Sequence, residues 1–200
     1  MFGAFIAFVP LSALILPQKI AAMADIAERG GPVRALSWLL ITGGVMAGIG
    51  NIVAGHIGDW LLRWHGDRRP LVVIGLALTM TTLIALGIAQ SFAGLVLAMA
   101  AFQLALNLLL SPLATLLVDY VPDQRKGSMA GWLGLALPVG SLAVTALVSL
   151  RMVGPVGQVT LTALAVFVLV APLAILWPVP VHINDHAPPE GAANPAPALP

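Results

Sequence analysis

The chain has 200 residues, 60% of them hydrophobic and only 8% charged, with a formal net charge of +1 and a mean hydropathy of +1.00. Soluble domains carry about 25% charged residues, so a water-soluble globular fold is excluded, and a net charge this small points to no nucleic-acid partner. The absence of cysteine rules out disulfides and thiolate metal sites and is compatible with any compartment.

Charged residues divide the chain into uncharged runs at 1–18, 35–58, 70–118, 127–150 and 152–184. A membrane helix needs roughly 20 apolar residues, so the run 70–118 holds two spans, with the polar dip GIAQS at Gly87–Ser91 as the turn. Six transmembrane helices follow, at about 2–23, 37–58, 71–89, 92–118, 128–150 and 158–178. Backbone groups in lipid need internal partners, and no period-2 pattern suggests a barrel. The expected fold is therefore an all-α polytopic membrane protein, with a six-helix bundle over 1–180.

Residues 1–20 lack the basic start and the small-residue cleavage site of a signal peptide, and Pro10 and Pro17 interrupt their apolar run; we read them as a first span. Span 2 carries Gly44, Gly48, Asn51, Gly55 and Gly58 at spacings of 4, 3, 4 and 3. Span 5 repeats the device with Gly127, Gly131, Gly134, Pro138, Ser141 and Thr145. Such stripes keep small residues on one face, where backbones approach closely, so Gly44, Gly48, Gly131 and Gly134 are expected packing positions. Glycine is also simply common in membrane helices. Two stripes on the second helix of each half suggest a three-plus-three internal repeat, the build of many secondary transporters. Span 6 has no glycine between 158 and 178 and reads as a peripheral helix. From Pro178 onward the chain holds seven of its sixteen prolines and no apolar period, which predicts a disordered Pro-rich cytoplasmic tail over 181–200.

Between spans 2 and 3, GHIGDWLLRWHGDRRP (55–70) concentrates Asp59, Arg63, Asp67, Arg68 and Arg69. Counting basic residues, the 59–69 and 119–126 loops hold Arg63, Arg68, Arg69, Arg125 and Lys126, against Lys19, Arg29, Arg34 and Arg151 on the other side. The positive-inside rule then places these loops and both termini in the cytoplasm. Asp59 is placed to pair with Arg63 at i+4 or with the N-terminal dipole of a neighbouring helix, while Arg68 and Arg69 precede Pro70, suited to the first turn of span 3. Such a cluster can latch helix ends together and release them when the bundle rocks; the alternative is that these arginines only set topology.

Gly55-x-x-x-Asp59, followed by Gly66, Arg68, Arg69 and Pro70, resembles the loop between helices 2 and 3 of the major facilitator superfamily. Its spacing is most similar to the glycoside–pentoside–hexuronide:cation symporters and their sucrose-transporter-like relatives. SPLATLLVDYVPDQRKGSMAGWLG (111–134) resembles the helix 4–5 region of the same group, through Asp119, a Val-Pro, and Arg125 and Lys126 before Gly127. Trp60 stands where the family usually has Arg, and Asp67 where another basic residue is common. The resemblance implies one six-helix half of a facilitator fold. It also implies gating roles for Gly55, Asp59, Arg63, Gly66, Arg68, Arg69, Asp119, Arg125, Lys126 and Gly127. We read the chain as integral to a bacterial inner (plasma) membrane.

A solute pathway is sought where polar groups are expensive. Span 4 carries Gln103, Asn107, Ser111, Thr115 and Asp119, each four apart, a stripe that should face the bundle interior or a wet cavity. Gln103 and Asn107 lie near mid-membrane and suit sugar hydroxyls; interhelical hydrogen bonding is the competing role. Asn51 joins the glycine stripe of span 2. Lys19 either snorkels to the outer interface or points into the cavity. His182 and His186 have metal-like spacing but lie in the Pro-rich tail, and no metal or cofactor is expected. Apart from Asp119 at its edge, no span contains an acid, and neither H-E-x-x-H nor G-x-S-x-G occurs, so an enzyme is not indicated. The expected activity is secondary transport of a small polar solute, a sugar or glycoside with H+ or Na+, by alternating access. The expected partners are the lipid bilayer, that solute, and a second six-helix half or a second copy. A non-transporting assembly protein or a truncated fragment is the competing reading.

Overall fold

A computed structural model describes residues 8–9, 11–23, 26, 30–120, 123–135, 138–140, 142, 146 and 154–175. Six helices are named here: α1 (Leu11–Ala21), α2 (Pro32–His65), α3 (Arg69–Ile88), α4 (Phe92–Tyr120), α5 (Asp123–Gly134) and α6 (Pro155–Ile175). Among the described residues there is no strand, and the architecture is all-α. By length and hydropathy, Pro32–His65, Arg69–Ile88 and Phe92–Thr115 can cross a membrane, and Leu11–Ala21 and Val156–Pro172 are shorter apolar helices.

Local chemistry sets the ends. Pro17 has no N–H to donate, and α1 widens to a π-helix over Leu11–Ile15 just before it. α2 begins at Pro32, its fixed φ pre-set for a first turn. It stops at Gly66, whose φ of 68° is left-handed and whose N–H bonds the Leu62 carbonyl at 3.0 Å. At about 1.5 Å per residue, the 34 residues of α2 reach roughly 51 Å, well beyond the ~30 Å hydrocarbon core. Its last turns therefore project past the membrane. α4 opens on Ser91, whose hydroxyl accepts the Gly94 N–H at 3.2 Å.

α4 is the central helix, packed between α2 and α3, and α6 covers the far side of α3. The core that joins them is apolar: Val72, Leu83 and Leu86 of α3, Leu95, Met99, Phe102 and Leu109 of α4, and Val159, Val166 and Val170 of α6, with Leu11, Ile15 and Leu16 of α1. Lipid is as apolar as these side chains, so helix association depends on close packing rather than burial from water. Glycine provides it. A Cβ at Gly75 of α3 would stand 2.7 Å from the Leu109 nitrogen and 2.8 Å from its Cα, so α3 and α4 cross backbone on backbone. At Gly50 of α2 a Cβ would meet Asn107 Cβ at 3.2 Å and Leu104 Cα at 3.3 Å. Gly43 abuts Met99 and Gln103, and Gly87 abuts Val159 of α6.

These are not the glycines of the expected stripes. Gly44 and Gly48 are exposed, as are Gly131 and Gly134 on α5, and a Cβ at any of the four would meet nothing within 4 Å. Ser141, Thr145 and the tail with His182 and His186 lie outside the described residues.

Candidate functional site

The α2–α3 junction is built by its turn. Left-handed Gly66 reverses the chain, and the Asp67 carboxylate accepts the Arg69 N–H at 2.9 Å, holding the first turn of α3. That reversal swings Arg68 back over the end of α2, where its Nη2 donates to Asp59 Oδ1 at 3.1 Å. Arg68 keeps only 13% of its side chain exposed, against 62% for Asp59. Room for the guanidinium comes from Gly58, where a Cβ would already touch Arg68 Nε and Leu71 Cδ2 at 3.8 and 3.7 Å. Asp59 therefore pairs across the junction with Arg68 rather than along its own helix with Arg63, which is exposed. Arg69 Nη2 reaches the Ile175 carbonyl at 3.5 Å, so the same junction also touches the last turn of α6. Three helix ends are thus joined through two adjacent arginines.

Beyond Asp59, α2 carries an aromatic group: Trp60 lies 6.4 Å from Trp64 and 6.1 Å from His65 between ring centroids. Both tryptophans are exposed, as amphipathic rings at a membrane–water boundary are.

Gly55 is half-buried with nothing within 4 Å of a Cβ; on α5, Arg125 and Gly127 are exposed and Lys126 half-buried. Asp119 belongs to the last turn of α4, and its side chain lies outside the described residues.

The polar row of α4 faces inward. Gln103 is 5% exposed and sits under Gly43 of α2. Asn107, under Gly50, donates from Nδ2 to the Gln103 carbonyl of its own helix at 2.8 Å. Thr115 likewise donates to the Pro112 carbonyl at 2.9 Å; with Pro112 inside the helix, the ring's missing N–H leaves a carbonyl one turn back without its helical partner. Asn51 is exposed on the adjacent flank of α2. Lys19 lies elsewhere, its ammonium donating to the Gly87 carbonyl at the other end of α3. Sequence reasoning missed Gly43, Gly50 and Gly75. The signal for the α2 set was present, since Gly43, Gly50, Ala54, Gly58 and Leu61 recur at helical spacing.

The junction thus holds an ion pair between helix ends, and α4 presents amide side chains beneath close helix contacts. The family model for the Major Facilitator Superfamily matches residues 1–200. Comparison with curated proteins and with solved structures gives no match.

Proposed function

The chain belongs to the major facilitator superfamily, and on that premise we propose that it is a secondary transporter, or the N-terminal half of one. The solute is a small polar molecule, a sugar or glycoside moved with a coupling cation, by alternating access. The observation that carries this reading is the Asp59–Arg68 clasp, 3.1 Å long, between the end of α2 and the N-cap of α3 across a tight turn. An exposed ion pair contributes only about 0–1 kcal/mol. It can therefore open within a transport cycle, which a structural staple could not. Gln103 and Asn107 supply hydrogen-bonding groups along the pathway, and the similarity of 55–70 to the glycoside–pentoside–hexuronide branch supports the sugar assignment.

Rocking-bundle transport holds its solute between two halves near the midplane, so we assign a partner to this chain: a second six-helix half or another copy. The open Gly44–Gly48–Asn51–Gly55 flank favours that assignment and equally supports a second reading, in which the chain binds a partner without transporting. Uptake separates the two. Asp59→Asn, in vesicles holding the chain with its partner half at equal membrane insertion, is expected to lower cation-dependent sugar uptake about tenfold or more. Unchanged uptake would reduce Asp59 to a topological marker. No uptake by the unsubstituted pair would favour the assembly protein.

A further inference from the structure

At the end of the molecule opposite the clasp, three helix termini border an open cleft of about 390 Å³. Its walls include Gln18, Lys19 and Met23 at the end of α1, Gly87 and Gln90 at the end of α3, and Val156 at the start of α6. None of the described residues lining it is acidic. The Lys19 ammonium has three donors, and one of them satisfies the Gly87 carbonyl, an orphan acceptor of the last turn of α3. Among the described residues no carboxylate pairs with it. A cation tethered by a neutral carbonyl, beside two glutamines of the cleft wall and facing an open cleft of ligand size, is placed to receive an anion.

Depth identifies the anion. α3 has 20 residues, which rise about 30 Å, the thickness of the hydrocarbon core. A helix of this length that spans the core brings its last turn, with Gly87 and therefore Lys19, to the boundary where phosphate groups are concentrated. We propose that this cleft binds a phosphate group on Lys19, with the Gln18 and Gln90 amides beside it, and that its source is the headgroup of an anionic lipid or inorganic phosphate. An ammonium binds phosphate as a point charge without a fixed fork geometry, so arginine can replace it here. The site is distinct from the solute pathway, because Lys19 contacts the end of α3 while Gln103 and Asn107 lie under α2.

The test uses the full chain in micelles of equal phosphatidylcholine and phosphatidylglycerol, with retained lipid read by native mass spectrometry. One cation near an anionic headgroup gives about fivefold preference. The unsubstituted chain and Lys19→Arg are expected to retain phosphatidylglycerol about fivefold over phosphatidylcholine, and Lys19→Gln to show no preference. Because Lys19→Gln also loses the bond to Gly87, helix content is measured in parallel. A Gln18→Ala/Gln90→Ala double variant, which keeps Lys19, is expected to lower the preference about twofold with helix content unchanged. Inorganic phosphate that displaces the lipid identifies a site shared with the soluble ion; failure to displace it identifies a lipid site, and both support the proposal. Equal retention by the unsubstituted chain and a folded Lys19→Gln would overturn it, as would the absence of any preference in the unsubstituted chain.

Discussion

Two flanks of α2 carry glycines in nearly equal number, and only one of them packs. At about 100° per residue, Gly43, Gly50, Ala54, Gly58 and Leu61 fall within one arc of roughly 80°, and all five are buried. Gly44, Gly48, Asn51 and Gly55 fall on the adjacent arc, and none of them is buried. On the remaining side Trp38, Ile41, Val45, Ile52 and Trp60 are exposed, as lipid-facing residues are. Trp38 and Trp60 are 22 positions apart, a rise of about 33 Å, close to the ~30 Å hydrocarbon thickness, which suits an aromatic anchor at each boundary. The helix therefore has a packed flank, a lipid flank and an open small-residue flank between them. Close approach is decided by what stands opposite each glycine, not by the spacing of glycines.

The largest effect tests the packed contacts at their tightest point. Gly75→Ala places a methyl 2.7 Å from the backbone nitrogen of Leu109, and no side chain can rotate away to relieve it. α3 and α4 must separate, at a cost of about 1–3 kcal/mol typical of overpacking, and Gly75→Val is expected to prevent folding. Gly50→Ala, whose contacts begin at 3.2 Å, is expected to cost less than Gly75→Ala. Thermal midpoints of the detergent-solubilised variants give the order. A Gly75→Ala protein as stable as the unsubstituted one would show that these helices do not cross as described.

Next in size is the polar row on α4. Asn107→Ala removes the 2.8 Å bond to the Gln103 carbonyl. Since that bond lies within one helix, the loss is expected to be about 0.5–1 kcal/mol, read as a small fall in midpoint. If Asn107 also contacts solute, uptake by the chain with its partner half falls about tenfold or more, well beyond what stability explains. A proportionate fall in both would assign Asn107 to packing.

The clasp is expected to be smaller still in stability. Asp59 is 62% exposed, so Asp59→Asn should lower the midpoint by an amount corresponding to no more than about 1 kcal/mol. A loss of several kcal/mol would make the pair a structural staple rather than a releasable contact.

Which parts of this were legible follows from the range of the forces involved. The long apolar helices were readable because expelling charge from lipid is a local compositional rule, and the start of α3 because Pro70 acts on its own backbone. The partner of Asp59 was not readable. The i+4 rule favoured Arg63, but left-handed Gly66 folds Arg68 back over Gly58, a relation across a turn rather than along a helix. The packed flank of α2 was hidden for a similar reason. Gly43 and Gly50 are two turns apart with Met46 and Ala47 between, a weaker visual signal than the unbroken 44–48–51–55 run, and Gly75 stands in no stripe at all. Its importance comes entirely from Leu109 opposite.

The smallest stability effect belongs to the open flank, and it sharpens the comparison most. Nothing lies within 4 Å of a Cβ at Gly44 or Gly48, so Gly48→Leu has no neighbour to displace among the described residues. Its midpoint is expected to stay within about 0.5 kcal/mol of the unsubstituted protein. Glycine at these positions leaves the helix backbone accessible, and only a second helix can use that closeness, because lipid tails pack equally well on leucine. Gly48→Leu is therefore expected to leave the six helices intact while weakening association with a second six-helix unit. Stoichiometry in nanodiscs, counted by photobleaching of a single label per chain, measures this directly. A shift from pairs to single chains at unchanged thermal midpoint would identify the flank as the surface the partner covers. Pairs that persist with Gly48→Leu would assign the flank to lipid, and the partner would then have to be sought against α5, where Gly127, Gly131 and Gly134 stand equally open.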